Sequence, residues 1–119
     1  PFVKDALAEA SRRVGPDKAT LPGLERDARA ASATAKTAMI AADTFLSYDM
    51  NDKAVDLYTI ALAKPGVDVS AAQLRLGIAL LAVGKAPEAQ AAFAKVDGAR
   101  APLARLWSVL AAGKVATGA

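Results

Sequence analysis

The chain has 119 residues, 54% of them hydrophobic and 5% aromatic, with no Cys, no His and a formal net charge of +3. Without Cys or His there is no disulfide framework, no Cys/His zinc site, and no Ser-His-Asp or Cys-His catalytic arrangement. The length fits one domain with a modest core, and a high apolar fraction at low net charge excludes disorder.

Breakers and caps divide the chain into helical segments. Alanine, the best helix former, supplies 31 residues, and no β-branched run competes with it. The first segment is Phe2 to Val14, with Phe2, Val3, Leu7, Ala10 and Val14 on one stripe and Gly15-Pro16 as its stop. The second starts near Thr20, read as an N-cap with Pro22 in the first turn, and runs to about Ala31. The third is capped by Ser32 or Thr34 and continues to about Tyr48. After a turn at Asp49–Asp52, the fourth covers about Asp52 to Ala63, where Lys64-Pro65-Gly66 ends it. The fifth begins after Asp68 or Ser70 and stops at Gly84. The sixth has Pro87 in its first turn and ends at Asp97-Gly98. The seventh runs from about Pro102 to Ala112, before Gly113. The expectation is an all-α domain of about seven helices, with short links that make neighbours antiparallel.

Charge and hydropathy narrow the function classes. Residues 1–97 hold 12 basic and 12 acidic side chains, so the excess lies in Arg100, Arg105 and Lys114. That is no basic stripe interleaved with aromatics, and no nucleic-acid partner is expected. Asp68 interrupts the stretch from Pro65 to Leu74, and Leu76–Gly84 is nine residues. A bilayer span needs about 20, so no membrane span is expected. Pro1 in place of Met suggests a segment removed upstream. An exported location, the periplasm or envelope of a bacterium, is the expectation, with the cytoplasm as alternative.

The pattern repeats. Ala54 and Tyr58 are answered by Ala89 and Phe93, both 35 residues on. Ala41-Ala42 and Phe45 are answered at the same spacing by Leu76-Gly77 and Leu80. Leu110-Ala111 follows Leu76-Gly77 at 34, with Trp107 three residues ahead of Leu110. The pattern resembles the tetratricopeptide repeat family, whose unit of about 34 residues folds as a helix–turn–helix. The resemblance covers about residues 34 to 112. It implies a right-handed α-α superhelix with repeats at 34–69 and 70–103, and a half-repeat or capping helix at 104–119. Residues 1–33 would be N-terminal helices or a decayed repeat within the same single domain, 1–119. Gln73, Leu80 and Val96 depart from the family pattern. Small residues at Ala42, Ala54, Gly77 and Ala89 suit close helix crossings, and Tyr58, Phe93 and Trp107 fill the space between units.

The resemblance also implies a concave groove lined by the first helix of each unit. Its positions here are Lys36, Met39, Ile40, Asp43 and Leu46, then Ala71, Leu74, Arg75, Ile78 and Leu81, then Arg105, Ser108 and Val109. Of these, Lys36, Asp43, Arg75, Ile78 and Arg105 are the candidate partner-binding residues. The basic clamp by which one branch of the family holds acidic chaperone C-termini is not expected, since Asp43 would repel a carboxylate. Each of these charges also has a plainer reading as solvated surface.

Catalysis has little to work with. Glu25 with Asp27, and Asp52 with Asp56, are carboxylate pairs in charge-rich helices. The Asp49–Asp52 turn lacks the Gly and distant Glu of a calcium loop, and Gly-rich phosphate motifs are absent. The expected function is a protein–protein interaction module, with no enzyme activity, cofactor or metal. The alternative is self-association through the last helix, whose Leu103, Leu106, Trp107 and Leu110 form an apolar stripe.

Overall fold

The computed structural model describes residues 20–116, and side chains up to residue 113. The helix expected over Phe2–Val14 lies outside the described residues. Within them the chain is all-α, with six helices and no strand: α1 Leu21–Arg29, α2 Ala35–Ser47, α3 Asn51–Leu62, α4 Val69–Ala82, α5 Ala86–Phe93 and α6 Ala101–Ala116. A short 3-10 turn, Gly98–Arg100, precedes α6.

Side-chain caps set two of the starts. Thr34 accepts a hydrogen bond from the Thr37 N–H at 3.1 Å, and Asp68 accepts one from the Ala71 N–H at 3.1 Å. The alternatives Ser32 and Ser70 do not cap. Ser70 instead bonds the Asp97 carboxylate at 2.6 Å. Thr20 holds the expected N-cap position of α1, but its backbone is already helical and its side chain makes no cap bond. A capping side chain works from extended backbone, so Pro22 in the first turn is the start signal that acts. Gly113 does not end the last helix, which continues to Ala116. One Gly costs a helix interior about 1 kcal/mol relative to Ala. The packing of Ala104, Trp107 and Ala111, all buried, outweighs that.

The joints between α2 and α3 and between α4 and α5 are built alike, 35 residues apart. The Met50 N–H donates to the Phe45 carbonyl and the Lys85 N–H to the Leu80 carbonyl, both at 2.9 Å. The Asp49 N–H donates to Leu46 and the Gly84 N–H to Leu81, both at 3.1 Å. Such bonds close a helix end when one residue turns left-handed. Gly84 does so freely at φ 85°, while Asp49 does so under strain at φ 60°. Joints of three residues return the chain antiparallel.

Each helix packs chiefly on the helix before and the helix after it. The first core joins Leu21 and Ala28 of α1, Ala38, Ala41, Ala42 and Phe45 of α2, and Ala54, Leu57, Tyr58 and Ala61 of α3. The second joins Leu74, Leu80 and Leu81 of α4, Ala86, Ala89, Ala92 and Phe93 of α5, and Ala104, Trp107 and Ala111 of α6. Val55 and Leu76 pack against both.

Candidate functional site

The residues chosen for packing are all buried: Ala42, Ala54, Tyr58, Gly77, Ala89, Phe93 and Trp107. Gly77 shows why its size matters. A Cβ built there would lie 2.6 Å from Phe93 Cδ1 and 2.8 Å from Cζ, so the ring rests directly on the α4 backbone. The other side of Phe93 meets Trp107, with ring centroids 6.4 Å apart and planes inclined by 23°. This offset stack ties α4, α5 and α6 together. Gln73, Leu80 and Val96, which depart from the family pattern, are buried as well.

Trp107 therefore leaves the exposed stripe proposed for the last helix. Leu103, Leu106 and Leu110 remain on it, and Val109 takes the place of Trp107. Burial agrees with the spacing of 34 for this helix. Ala38, Gln73 and Trp107 form one row and Ala42, Gly77 and Ala111 another, all buried, while Lys36 and Ile40 of α2 are answered by Arg105 and Val109 of α6, all exposed.

The groove residues divide in three. Lys36 and Arg105 are exposed and join no ion pair among the described residues. Asp43 and Arg75, expected as separate charges, are paired instead, with Arg75 Nη1 donating to Asp43 Oδ2 at 3.0 Å. Asp43 Oδ1 accepts a second hydrogen bond, from the buried Tyr58 hydroxyl. One carboxylate so joins α2, α3 and α4. Burial first, and then the Asp43 charge, pushes the Tyr58 phenol well above its usual pKa. The ion pair is partly solvated and worth about 0–1 kcal/mol. Its consequence is electrostatic: Asp43 is neutralised and does not oppose an anionic ligand as expected. Ile78 is half-buried beside this row. The remaining groove residues are not floor: Leu46, Ala71, Leu74 and Leu81 are buried, because these helices are covered by α3 and α5 on that side. Met39 and Ser108 are half-buried, while Ile40 and Val109 are exposed.

The carboxylates of α1 and α3 serve structure. Glu25 accepts from Arg29 at 2.9 Å and from Lys53 at 3.0 Å, and Arg29 reaches Asp56 at 3.4 Å. The bonds from Lys53 and Arg29 hold Glu25 below the usual carboxylate range. Among the described residues no group of three His, Cys, Asp or Glu could hold a metal ion, and no helix is long and apolar enough to cross a membrane.

Sequence reasoning missed two features. One is the Tyr58–Asp43–Arg75 link, which the hydroxyl of Tyr58 opposite the bare ring of Phe93 could have signalled. The other is Asp49 in the left-handed position that Gly84 fills 35 residues later. No known family model, curated protein or solved structure matches the chain.

Proposed function

We propose that the chain is an interaction module, a tetratricopeptide-like superhelix that receives a segment of another protein along the outward row of α2, α4 and α6. The repeated joints and the two rings at matching positions support the repeat reading. One observation carries the binding reading: Ile40, Leu106 and Val109 are 47%, 59% and 68% exposed, Ile78 is half-exposed, and the charges between them are neutralised. Lys36 and Arg105 stand at either end as cations that join no ion pair among the described residues. Such a row suits a segment with apolar side chains in its middle and acidic ones at its ends.

The test is selection from a displayed library of random peptides. Apolar peptides with acidic ends are expected, and Ile40→Glu with Val109→Glu should weaken their binding at least tenfold while the helical signal stays unchanged. Enrichment of no sequence, or binding indifferent to both changes, refutes the reading.

The exposed Leu103, Leu106 and Leu110 favour a second reading, in which α6 pairs two copies of the chain. Sedimentation at high concentration decides it, because a strict monomer removes the pair.

A further inference from the structure

We propose that the Asp97-Gly98 turn is a modification site, at which Asp97 rearranges spontaneously to isoaspartate, and that the Ser70 hydroxyl is the catch that slows it. This is the one Asp-Gly pair in the 119 residues. It lies in the connection between α5 and α6, and both residues are exposed. Glycine makes the pair reactive, because no side chain beside its backbone nitrogen obstructs an approaching carboxyl. The fold also requires glycine here, since Gly98 turns left-handed at φ 66°. A Cβ built on Gly98 would meet no atom within 4 Å, so this side of the residue is open. Among the described residues no hydrogen bond engages the Gly98 N–H. The reaction needs only water. The Gly98 nitrogen attacks Asp97 Cγ and an N–Cγ bond forms. The hydroxyl of the protonated carboxyl departs with the amide proton as water, leaving a five-membered succinimide. Water then adds back at one of the two ring carbonyls. Opening at Cγ restores aspartate. Opening at the Asp97 backbone carbonyl breaks its bond to the Gly98 nitrogen, and the chain then runs through Cβ and Cγ. Nothing is oxidised or reduced.

The Ser70 hydroxyl donates to Asp97 Oδ1 at 2.6 Å, and the Asp97 N–H donates to Ser70 Oγ at 3.3 Å. A hydroxyl–carboxylate bond of 2.6 Å lies in the short, charge-assisted range. It favours the ionised carboxyl, the form without a hydroxyl to lose. It also holds the carboxyl toward the first turn of α4, so attack by the Gly98 nitrogen requires that bond to break. Arg100 reaches Asp68 at 3.4 Å, so two links tie the start of α4 to this connection. Isoaspartate adds one backbone atom between α5 and α6 and moves the carboxylate onto Cα. Ser70 then cannot hold both the N–H and the carboxylate of residue 97, and α6 shifts against Phe93. The chain thus carries a slow, water-driven change that loosens α6. The inference does not rest on the binding reading above, which uses the outward row.

The experiment ages the 119-residue chain in warm, mildly acidic buffer beside a free peptide of residues 94–102. Trypsin, cutting after Lys95 and Arg100, releases residues 96–100. Aspartate and isoaspartate forms of that fragment have equal mass and separate by reversed-phase chromatography. The isomer is expected to accumulate in the folded chain, at least threefold more slowly than in the peptide. Ser70→Ala should remove most of that difference, whereas Ser70→Thr, which keeps the hydroxyl, should preserve it. Asp97→Glu should give no isomer, because its ring would need six members. In the isomerised chain, amide protons of α6 should exchange faster than in the fresh chain, and those of α3 should not. If Ser70→Ala loses helical signal by circular dichroism, the comparison of folded chain with peptide still decides the matter. A folded chain that forms no isomer while the peptide converts overturns the modification site. Equal rates in chain and peptide, or a well-folded Ser70→Ala chain that ages like the parent, overturn the catch.

Discussion

The junction of α2, α3 and α4 and the junction of α4, α5 and α6 share a backbone design and differ in chemistry. In both, one ring from the second helix of a pair is buried beside a small residue of the first, and the joint between the pair has the same hydrogen bonds. At the first junction the ring is Tyr58, and its hydroxyl passes through Asp43 to Arg75. At the second the ring is Phe93, held between Gly77 and Trp107 by apolar contact alone. The positions of Asp43 and Arg75 are taken there by Ile78 and Val109. The three differences go together: a hydroxyl needs its acceptor, and the acceptor needs its cation, so the polar set is present whole or absent whole.

The strongest way to break the second junction is Gly77→Leu. The Phe93 ring is confined by Trp107 and cannot swing clear, so the cost should reach the upper end of about 1–3 kcal/mol for overpacking. Urea unfolding measures it, and an unchanged midpoint would refute the ring-on-glycine contact. Phe93→Tyr adds a hydroxyl where Ile78 stands in place of the acceptor Asp43, costing about 1–3 kcal/mol. Adding Ile78→Asp and Val109→Arg should recover part of that loss by rebuilding the polar set, and no recovery would count against the equivalence of the two junctions.

Tyr58→Phe tests the first junction. Near neutral pH it should cost about 1 kcal/mol, because a half-exposed Asp43 regains water when the hydroxyl leaves. Its pH dependence is more telling. The folded pKa lies above the unfolded value, so the stabilisation is complete below pH ~10 and is lost as pH rises further. The loss approaches about 1.4 kcal/mol per pH unit for this one group. Tyr58→Phe should flatten that alkaline limb, and Phe93→Ala should not. The smallest effect concerns the joints. Asp49→Gly should raise stability by about 0.5–1 kcal/mol by relieving left-handed strain, whereas Gly84→Asp should lower it. Thermal melts of the pair check both signs.

The all-α class and most helix starts were legible because alanine is plentiful and Thr34, Asp68, Pro22 and Pro87 mark starts. The ends were less legible. Gly113 looked like a stop, yet one glycine is too weak a breaker against three buried contacts on the same helix. The site was legible in composition and not in pairing. Asp43 and Arg75 are 32 residues apart in the chain, and only the packing of α2 against α4 brings them within 3.0 Å. On α6 the sequence placed Trp107 both in the packing and on the apolar stripe, and its stack with Phe93 decides for packing.

Packing by sequence neighbours also governs how the molecule opens. Most long-range contacts in such a chain close loops of a few tens of residues, which favours rapid folding. Among the described helices α6 packs only toward α5 and α4 and leaves Leu106, Val109 and Leu110 exposed, so it detaches at less cost than α3 or α4. Here the release of α6 separates Trp107 from Phe93 while α2 to α4 stay linked through Asp43. Amide protons of α6 should then exchange with solvent ahead of those in α3 and α4, giving the chain a reversible opening that precedes global unfolding.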